Sequence, residues 1–405
     1  MKTICAAVAL AAAVLLAGCA GFWNPLPSTT TTTTTTTTTD SSGVFYVMNQ
    51  STSQIVAYQI SSGTLDKITP GTGAPNPTSF TGTANCIAIA PGGGFLYLGT
   101  TAGIYAYQIQ TGGALQPLNG GGTINGDKPL AMQVASDSIT GGFWLIDAFL
   151  GSSNQVALHA IPLNSSGTYN SGAAIPAASI PATNPAVNQM VLSPNGDYLL
   201  FALGTGGAYA VAFNSGQSNP FATTAQTLIA PTSSQAVLSV AVDPTERLFY
   251  IGQTDAVSSS GGLLVYSYSS LGSGTIPSPL SSLASGGPSP YAILPEATGN
   301  YVYVANANST SNGAINWFDV TASGTSYSVT AGSTVQSGIV PRGLAEDSSN
   351  QFILAVSFGN NTGVGGDPDL EAFTMSSGAL SSVIASSTGN SGSDPVGALA
   401  VAALP

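Results

Sequence analysis

From Val44 onward the chain is a succession of short apolar runs cut by glycine-rich turns. Between Cys86 and Leu118 the runs read CIAIA, FLYLG, IYAYQI and LQPL, separated by Pro91 with three glycines, by the turn TTAG, and by Gly112-Gly113. Runs of this length, rich in Ile, Tyr and Phe and bounded by Gly and Pro, predict strands, here a four-stranded antiparallel meander. Seven copies follow one another. Their second strands read VFYVM (44–48), FLYLG (95–99), FWLID (143–147), YLLFA (198–202), LFYIG (248–252), YVYVA (301–305) and FILAV (352–356), with starts 51, 48, 55, 50, 53 and 51 residues apart. A strand-built period of about 50 predicts an all-β, seven-bladed β-propeller with four antiparallel strands per blade.

The two ends of this array complement each other. A further strand precedes six of the copies (CIAIAP, MQVASD, QMVLSP, SVAVDP, PYAILP, RGLAED), whereas VFYVM has none before it and the final run GALAVA (397–402) has no second strand after it. The C-terminal strand is therefore expected in the first blade, closing the ring and removing its open edges. The third strands carry a column reading Tyr58, Tyr107, His159, Val211, Tyr266, Phe318 and Phe373, which suits sheet-on-sheet packing between blades and places His159 as a packing residue.

Residues 1–18 read as a signal peptide: Lys2 is a minimal basic region, Ala6 to Leu16 an apolar one, and Leu16-Ala17-Gly18-Cys19 resembles a bacterial lipobox. Cleavage before Cys19 and lipidation of its thiol give an exported lipoprotein held on the bilayer by its acyl anchor. Ala20 after the cysteine matches the pattern sent to the outer membrane. Residues 19–42, with eleven consecutive threonines from Thr29 to Thr39, read as a solvated tether, and residues 43–405 as the propeller.

Without residues 1–18 the chain has 17 acidic against 4 basic side chains, about −13, which argues against a nucleic-acid partner. Cys86 is the one cysteine left beyond Cys19, so no disulfide forms within the domain, and one histidine with one cysteine excludes a His/Cys zinc site. No P-loop, GxSxG elbow or dinucleotide fingerprint is present. No metal or cofactor is expected, except that carboxylates in loops offer oxygen ligands for Ca²⁺.

The innermost strands of a propeller line its channel, and at their entrance Cys86, Met132, Gln189, Ser239, Pro290 and Arg342 align. Arg342 is the one cation there, suited to gripping a carboxylate or phosphate, while Cys86, with no base named beside it, reads as a small filler. Asp147 ends the second strand of blade 3 on that side, and Asp255, Asp367, Asp369 and Asp394 fall in or beside loops on it. Extra length between second and third strands collects in blades 5 to 7, marking this as the binding face. The ligand residues expected are Arg342, Asp147, Asp255 and Asp394. Glu246-Arg247 falls in a turn on the opposite face.

PNGDYLLFA (194–202), GNYVYVANANS (299–309) and VPRGLAEDSSNQFILAV (340–356) resemble the repeats of the seven-bladed lactonase-like propellers, the 6-phosphogluconolactonase-like and YVTN-repeat family. The resemblance spans residues 44–403. It implies a channel ringed by Arg, His and Glu. Arg342 matches the Arg, Gly343 stands where a His follows it, and Asp147 is the candidate base. The favoured function is a lipid-anchored cell-envelope module that binds a small anionic or sugar ligand, or an envelope protein. The alternatives are a sugar-lactone hydrolase and a structural or adhesive envelope protein.

Overall fold

Five apolar residues in a row with no polar alternation suit a strand buried on both faces, which a sheet stacked between two others provides. The computed structural model describes residues 43–404 apart from 62, 152–154, 255–260, 309–311, 325, 360–369 and 387–396. It contains seven antiparallel sheets. Blade 2 runs from the axis outward as Ala84–Ile89, Phe95–Thr100, Gly103–Ile109 and Leu115–Pro117, and the other blades follow the same order. Each first strand touches the first strands of both neighbours, so the seven form a closed circuit round the axis.

The closing strand is Ala398–Ala403. It pairs antiparallel with Val44–Asn49, setting Ala403 opposite Phe45 and Val401 opposite Val47, and so fills the inner position of blade 1. Backbone bonds from Gln50 N to Gly397 O (3.0 Å) and from Leu404 N to Val44 O (2.9 Å) extend the seam at both ends. The hydrophobic core is correspondingly divided into seven clusters, one between each pair of neighbouring blades. In Val44–Asn49, Phe45 and Val47 pack toward blade 7 while Val44, Tyr46 and Met48 pack toward blade 2, the period-2 alternation of a strand with two buried faces.

Polar interlocks register the blades. Tyr46, Tyr97 and Tyr303 are wholly buried, and each hydroxyl donates to a turn carbonyl of the next blade: Gly113 O at 2.9 Å, Gly167 O at 3.0 Å and Gly378 O at 3.3 Å. The accepting turns need glycine. Gly113 has φ +85°, and a Cβ there would lie 2.7 Å from Ile68 Cδ1 and 2.9 Å from Val44 Cγ1. At the opposite face, the carboxylates of Asp137, Asp243 and Asp347 each accept amide protons of the turn that follows, satisfying backbone groups without a helix. Arg247 is more than a turn residue: its Nε pairs with Asp243 Oδ2 at 2.8 Å and its NH2 group donates to Gly299 O of blade 6 at 2.6 Å.

Two details depart from the repeat read in the sequence. Blade 1 has a fifth strand, Thr78–Ser79, beside Gln54–Ile55, and between it and Thr64–Lys67 the Asn76 side chain bonds both Ala57 N (3.0 Å) and Ala57 O (2.8 Å) as a strand backbone would. Blade 3 is shifted by one residue. Trp144, not Leu145, takes the place of Tyr97, donating from Nε1 to Ser215 O of blade 4 at 3.3 Å. Phe143 lies opposite Leu163, as Leu96 lies opposite Tyr107. The aromatic column is thus borne out at Tyr58, Tyr107, Val211, Tyr266, Phe318 and Phe373, all buried, but its blade 3 member is Leu163 and not His159.

Two substitutions test the interlock. Tyr97→Phe leaves the buried Gly167 carbonyl without its donor and should cost about 1–3 kcal/mol. Gly113→Ala should cost at least as much, because it combines positive φ with a close approach. Urea unfolding midpoints check both, and unchanged midpoints would show that the turns are not held this way.

Candidate functional site

A cavity of about 430 Å³ lies on the axis and is lined by the inner strands of all seven blades. Its lining mixes apolar side chains, Met132, Leu238, Ile293, Leu344 and Leu399 among them, with polar surface that is at least as extensive. Several amides punctuate it, and some of them are already committed: Gln133 donates to Met190 O at 2.9 Å, and Gln189 spends its oxygen on the Val240 amide at 3.0 Å, which leaves the Gln189 NH2 group for a ligand. Among the described residues Arg342 is the one charged residue in the wall.

β-Bulges deliver the distinctive side chains. The inner strands of blades 1, 2, 5, 6 and 7 slip register between Ala398 and Ala400, Ala84 and Cys86, Val237 and Ser239, Pro290 and Ala292, and Pro341 and Gly343. The extra residues are Leu399, Asn85, Leu238, Tyr291 and Arg342, and all five line the cavity. The bulges of neighbouring blades 6 and 7 place the Arg342 guanidinium 3.6 Å from the centre of the Tyr291 ring. Arg342 Nε is buried with no hydrogen-bond partner, and among the described residues Arg342 forms no ion pair. A guanidinium held flat on an aromatic face keeps its edge available for an anion.

Asp147 does not project into this cavity. It is wholly buried at the end of its strand, flanked by Met132 on one side and His159 on the other. Its Oδ1 accepts the His159 amide at 3.2 Å, while Oδ2 is buried without a partner. His159 Nδ1 lies 2.9 Å from Asp127 Oδ2, and its ring stands edge-on to Phe149 with centroids 4.8 Å apart. Ligand atoms of Asp127, Asp147 and His159 all fall within 4.8 Å of one another, and the side chains of His159 and Asp127 are 28% and 25% exposed. The reading of His159 as a packing residue is corrected here, since the blade 3 shift carries it out of the aromatic column and into a polar cluster. Asp127, in the loop entering blade 3, was invisible to strand alignment; the sixth-position polar residues Asn49, Thr100, Gln253, Asn306 and Ser357, buried like Asp147, were the available signal that these strand ends are polar sites.

The electrostatics follow from this geometry. Burial, reinforced by the Asp127 charge, pushes Asp147 from 3.8 up to about 7. The hydrogen bond to Asp127 raises His159 above its ordinary value. Burial and then the Asp147 charge push the Cys86 thiol up, so Cys86 stays a protonated wall residue and not a nucleophile. Asp255, Asp367, Asp369 and Asp394, and most of the long loops of blades 5 to 7, lie outside the described residues.

A pH dependence of stability follows. The folded state retains the Asp147 proton that the unfolded chain releases near 4, so the stability it confers is complete below that pH and lost as pH rises through about 7. His159 acts in the same direction, stabilising below 6.5 and losing that contribution as pH climbs past its raised folded value. Melting temperature in the presence of EDTA should fall between pH 5 and 8, and Asp147→Asn should reduce the slope. Glu346, raised to about 8 by burial, leaves a residual dependence. A wild-type profile no steeper than that of Asp147→Asn would contradict the assignment.

No protein-family model matches the sequence, and no curated protein matches it. Solved structures do. Two putative 6-phosphogluconolactonases are similar: that of Bacteroides fragilis aligns with TM-score 0.64 at 15% identity over 90% of this chain and 99% of its own, and that of Bacteroides uniformis with TM-score 0.60 at 14% identity over 85% and 95%. A functionally unknown protein from Desulfotomaculum acetoxidans aligns with TM-score 0.60 at 11% identity over 90% of this chain and 100% of its own. At these identities the likeness is one of fold. The chain is a seven-bladed β-propeller whose structural neighbours include lactonase-like propellers.

Proposed function

We propose that the protein is a binding module that takes a small anionic ligand, a sugar acid or its phosphate, into the axial cavity, with Arg342 holding the anionic group and Tyr291 orienting Arg342. The observation that carries this reading is the buried, unpartnered Arg342 Nε in an otherwise uncharged wall. A buried donor without an acceptor is costly, and an anionic ligand that reaches it removes that cost while forming charge-assisted bonds. The names of the two Bacteroides neighbours suggest 6-phosphogluconate as the first probe.

Binding is favoured over hydrolysis because the described cavity wall offers no Asp, Glu or His to act as a general base, and its Cys86 is held protonated. Loops outside the described residues leave room for a base, so lactone hydrolysis stands as the second reading.

Titration calorimetry with gluconate and 6-phosphogluconate tests the proposal. Arg342→Gln should weaken binding at least tenfold, about 1.4 kcal/mol, and Tyr291→Leu by a smaller factor. Equal affinity for wild type and Arg342→Gln would remove the site. Turnover of 6-phosphogluconolactone that disappears in Arg342→Gln would replace the binding reading by the hydrolase reading.

The sequence of residues 1–42 supports export and anchoring at the cell envelope through a lipid on Cys19. Wild-type protein made in a bacterial host should partition into the detergent phase of a cloud-point extraction, and Cys19→Ser into the aqueous phase. Partition of both proteins into one phase would contradict the lipid anchor.

A further inference from the structure

The Asp127, Asp147 and His159 cluster has no role in the anion site just described, since none of the three lines the axial cavity. We infer that it is a divalent metal site of the two-carboxylate, one-imidazole type, fitted to a first-row transition ion and best to Zn²⁺.

The donors come from three different places. Asp147 ends the second strand of blade 3, His159 lies directly opposite it on the third strand, and Asp127 sits in the loop that leads into the first. Strand pairing fixes the first two relative to each other, and the His159 amide bond to Asp147 Oδ1 fixes the carboxylate's rotation. Phe149 stands edge-on to the imidazole and fixes its plane. Only the loop residue has freedom to adjust.

Independent of the clustering, Asp147 Oδ2 is fully buried and has no hydrogen-bond partner. A carboxylate oxygen in that position is costly unless something neutralises it. The His159 Nδ1 to Asp127 Oδ2 contact, 2.9 Å, does not reach it. A cation between the three side chains would serve all of them at once: Nδ1 gives up its proton to solvent, both carboxylates bind deprotonated, and the bare oxygen gains a partner.

The donor set selects the ion. Ca²⁺ takes six to eight oxygens and Mg²⁺ prefers a hydrated octahedron, whereas an imidazole with carboxylates suits Zn²⁺ and its first-row neighbours. Zinc bonds of about 2.0–2.2 Å place tetrahedral donors roughly 3.4 Å apart, so the 2.9 Å contact between His159 and Asp127 opens slightly as the ion enters a set of donors already within 4.8 Å of one another. Three protein ligands leave a fourth position for water, and the partial exposure of His159 and Asp127 gives the ion a path from solvent.

The test uses the whole purified protein, stripped with EDTA and dialysed. Co²⁺ serves as the spectroscopic probe and Zn²⁺ as its competitor. The expected result is one equivalent of Co²⁺, visible absorption bands of a low-coordinate site, loss of those bands on adding one equivalent of Zn²⁺, and a higher melting temperature with metal than without. Asp147→Asn and His159→Gln should each weaken Co²⁺ binding by tenfold or more, while Arg342→Gln should leave it unchanged, which separates this site from the anion site. If either core variant fails to fold, Asp127→Asn, in a loop and partly exposed, gives the same readout. No stoichiometric binding, or binding that survives Asp127→Asn and Asp147→Asn at wild-type strength, would overturn the inference.

Discussion

Everything in this molecule depends on the pairing of its last strand with its first. Without Ala398–Ala403, the strand Val44–Asn49 would present a bare edge to the axis, and the inner circuit would lack one member. Among the described residues there is no disulfide and Cys86 is the one cysteine, so closure there rests on backbone hydrogen bonds and on packing. The cluster that joins blade 7 to blade 1 illustrates this: Phe45, Val47 and Tyr58 meet Leu354, Val356 and Leu370, with Ala398 buried between them. That is a seam of long sequence separation, completed only once all seven blades stand in order.

Closure also creates the chemistry. A wall made from seven inner strands encloses the axial cavity, and the regular strands of blades 3 and 4 already bring Gln133 and Gln189 to it. Bulges add a wall residue in the other five blades. The two in neighbouring blades 6 and 7 bring Tyr291 and Arg342 face to face, so the one charged group among the described wall residues rests on an aromatic ring. Blade 3 departs from the repeat differently. Its one-residue shift replaces the recurring tyrosine with Trp144 and leaves Asp147 and His159 opposite each other where other blades place Thr100 against Gly103 or Gln253 against Gly262. The polar cluster of blade 3 therefore arises where the repeat is locally violated, as expected where function is laid over a packing-driven scaffold, whereas the anion site uses a bulge that most inner strands share.

The architecture was legible in the sequence because it is written in many copies. Seven apolar quintets with a period near 50, and an inner strand missing at one end and surplus at the other, specify both blade number and closure. Arg342 was legible as a cavity residue because only one of the inner-strand entrances carries a charge. The stacking on Tyr291 was not, since it depends on bulges that leave no mark in residue type. His159 was misplaced for a related reason: aligning VALHAI by its apolar pattern set it four residues from Leu163, the true column member, and in a period-2 structure an even shift changes no inward or outward assignment that would betray the error. Asp127 lay in a loop, where periodicity says nothing.

Native-state hydrogen exchange, followed by mass spectrometry on the whole protein, measures the closing seam directly. If the ring is shut as described, peptides covering 397–404 and 44–49 exchange slowly and lose protection together in one cooperative opening. Rapid exchange of 397–404 while 44–49 stays protected would show the last strand lying elsewhere, and the closed ring and its axial cavity would both have to be abandoned.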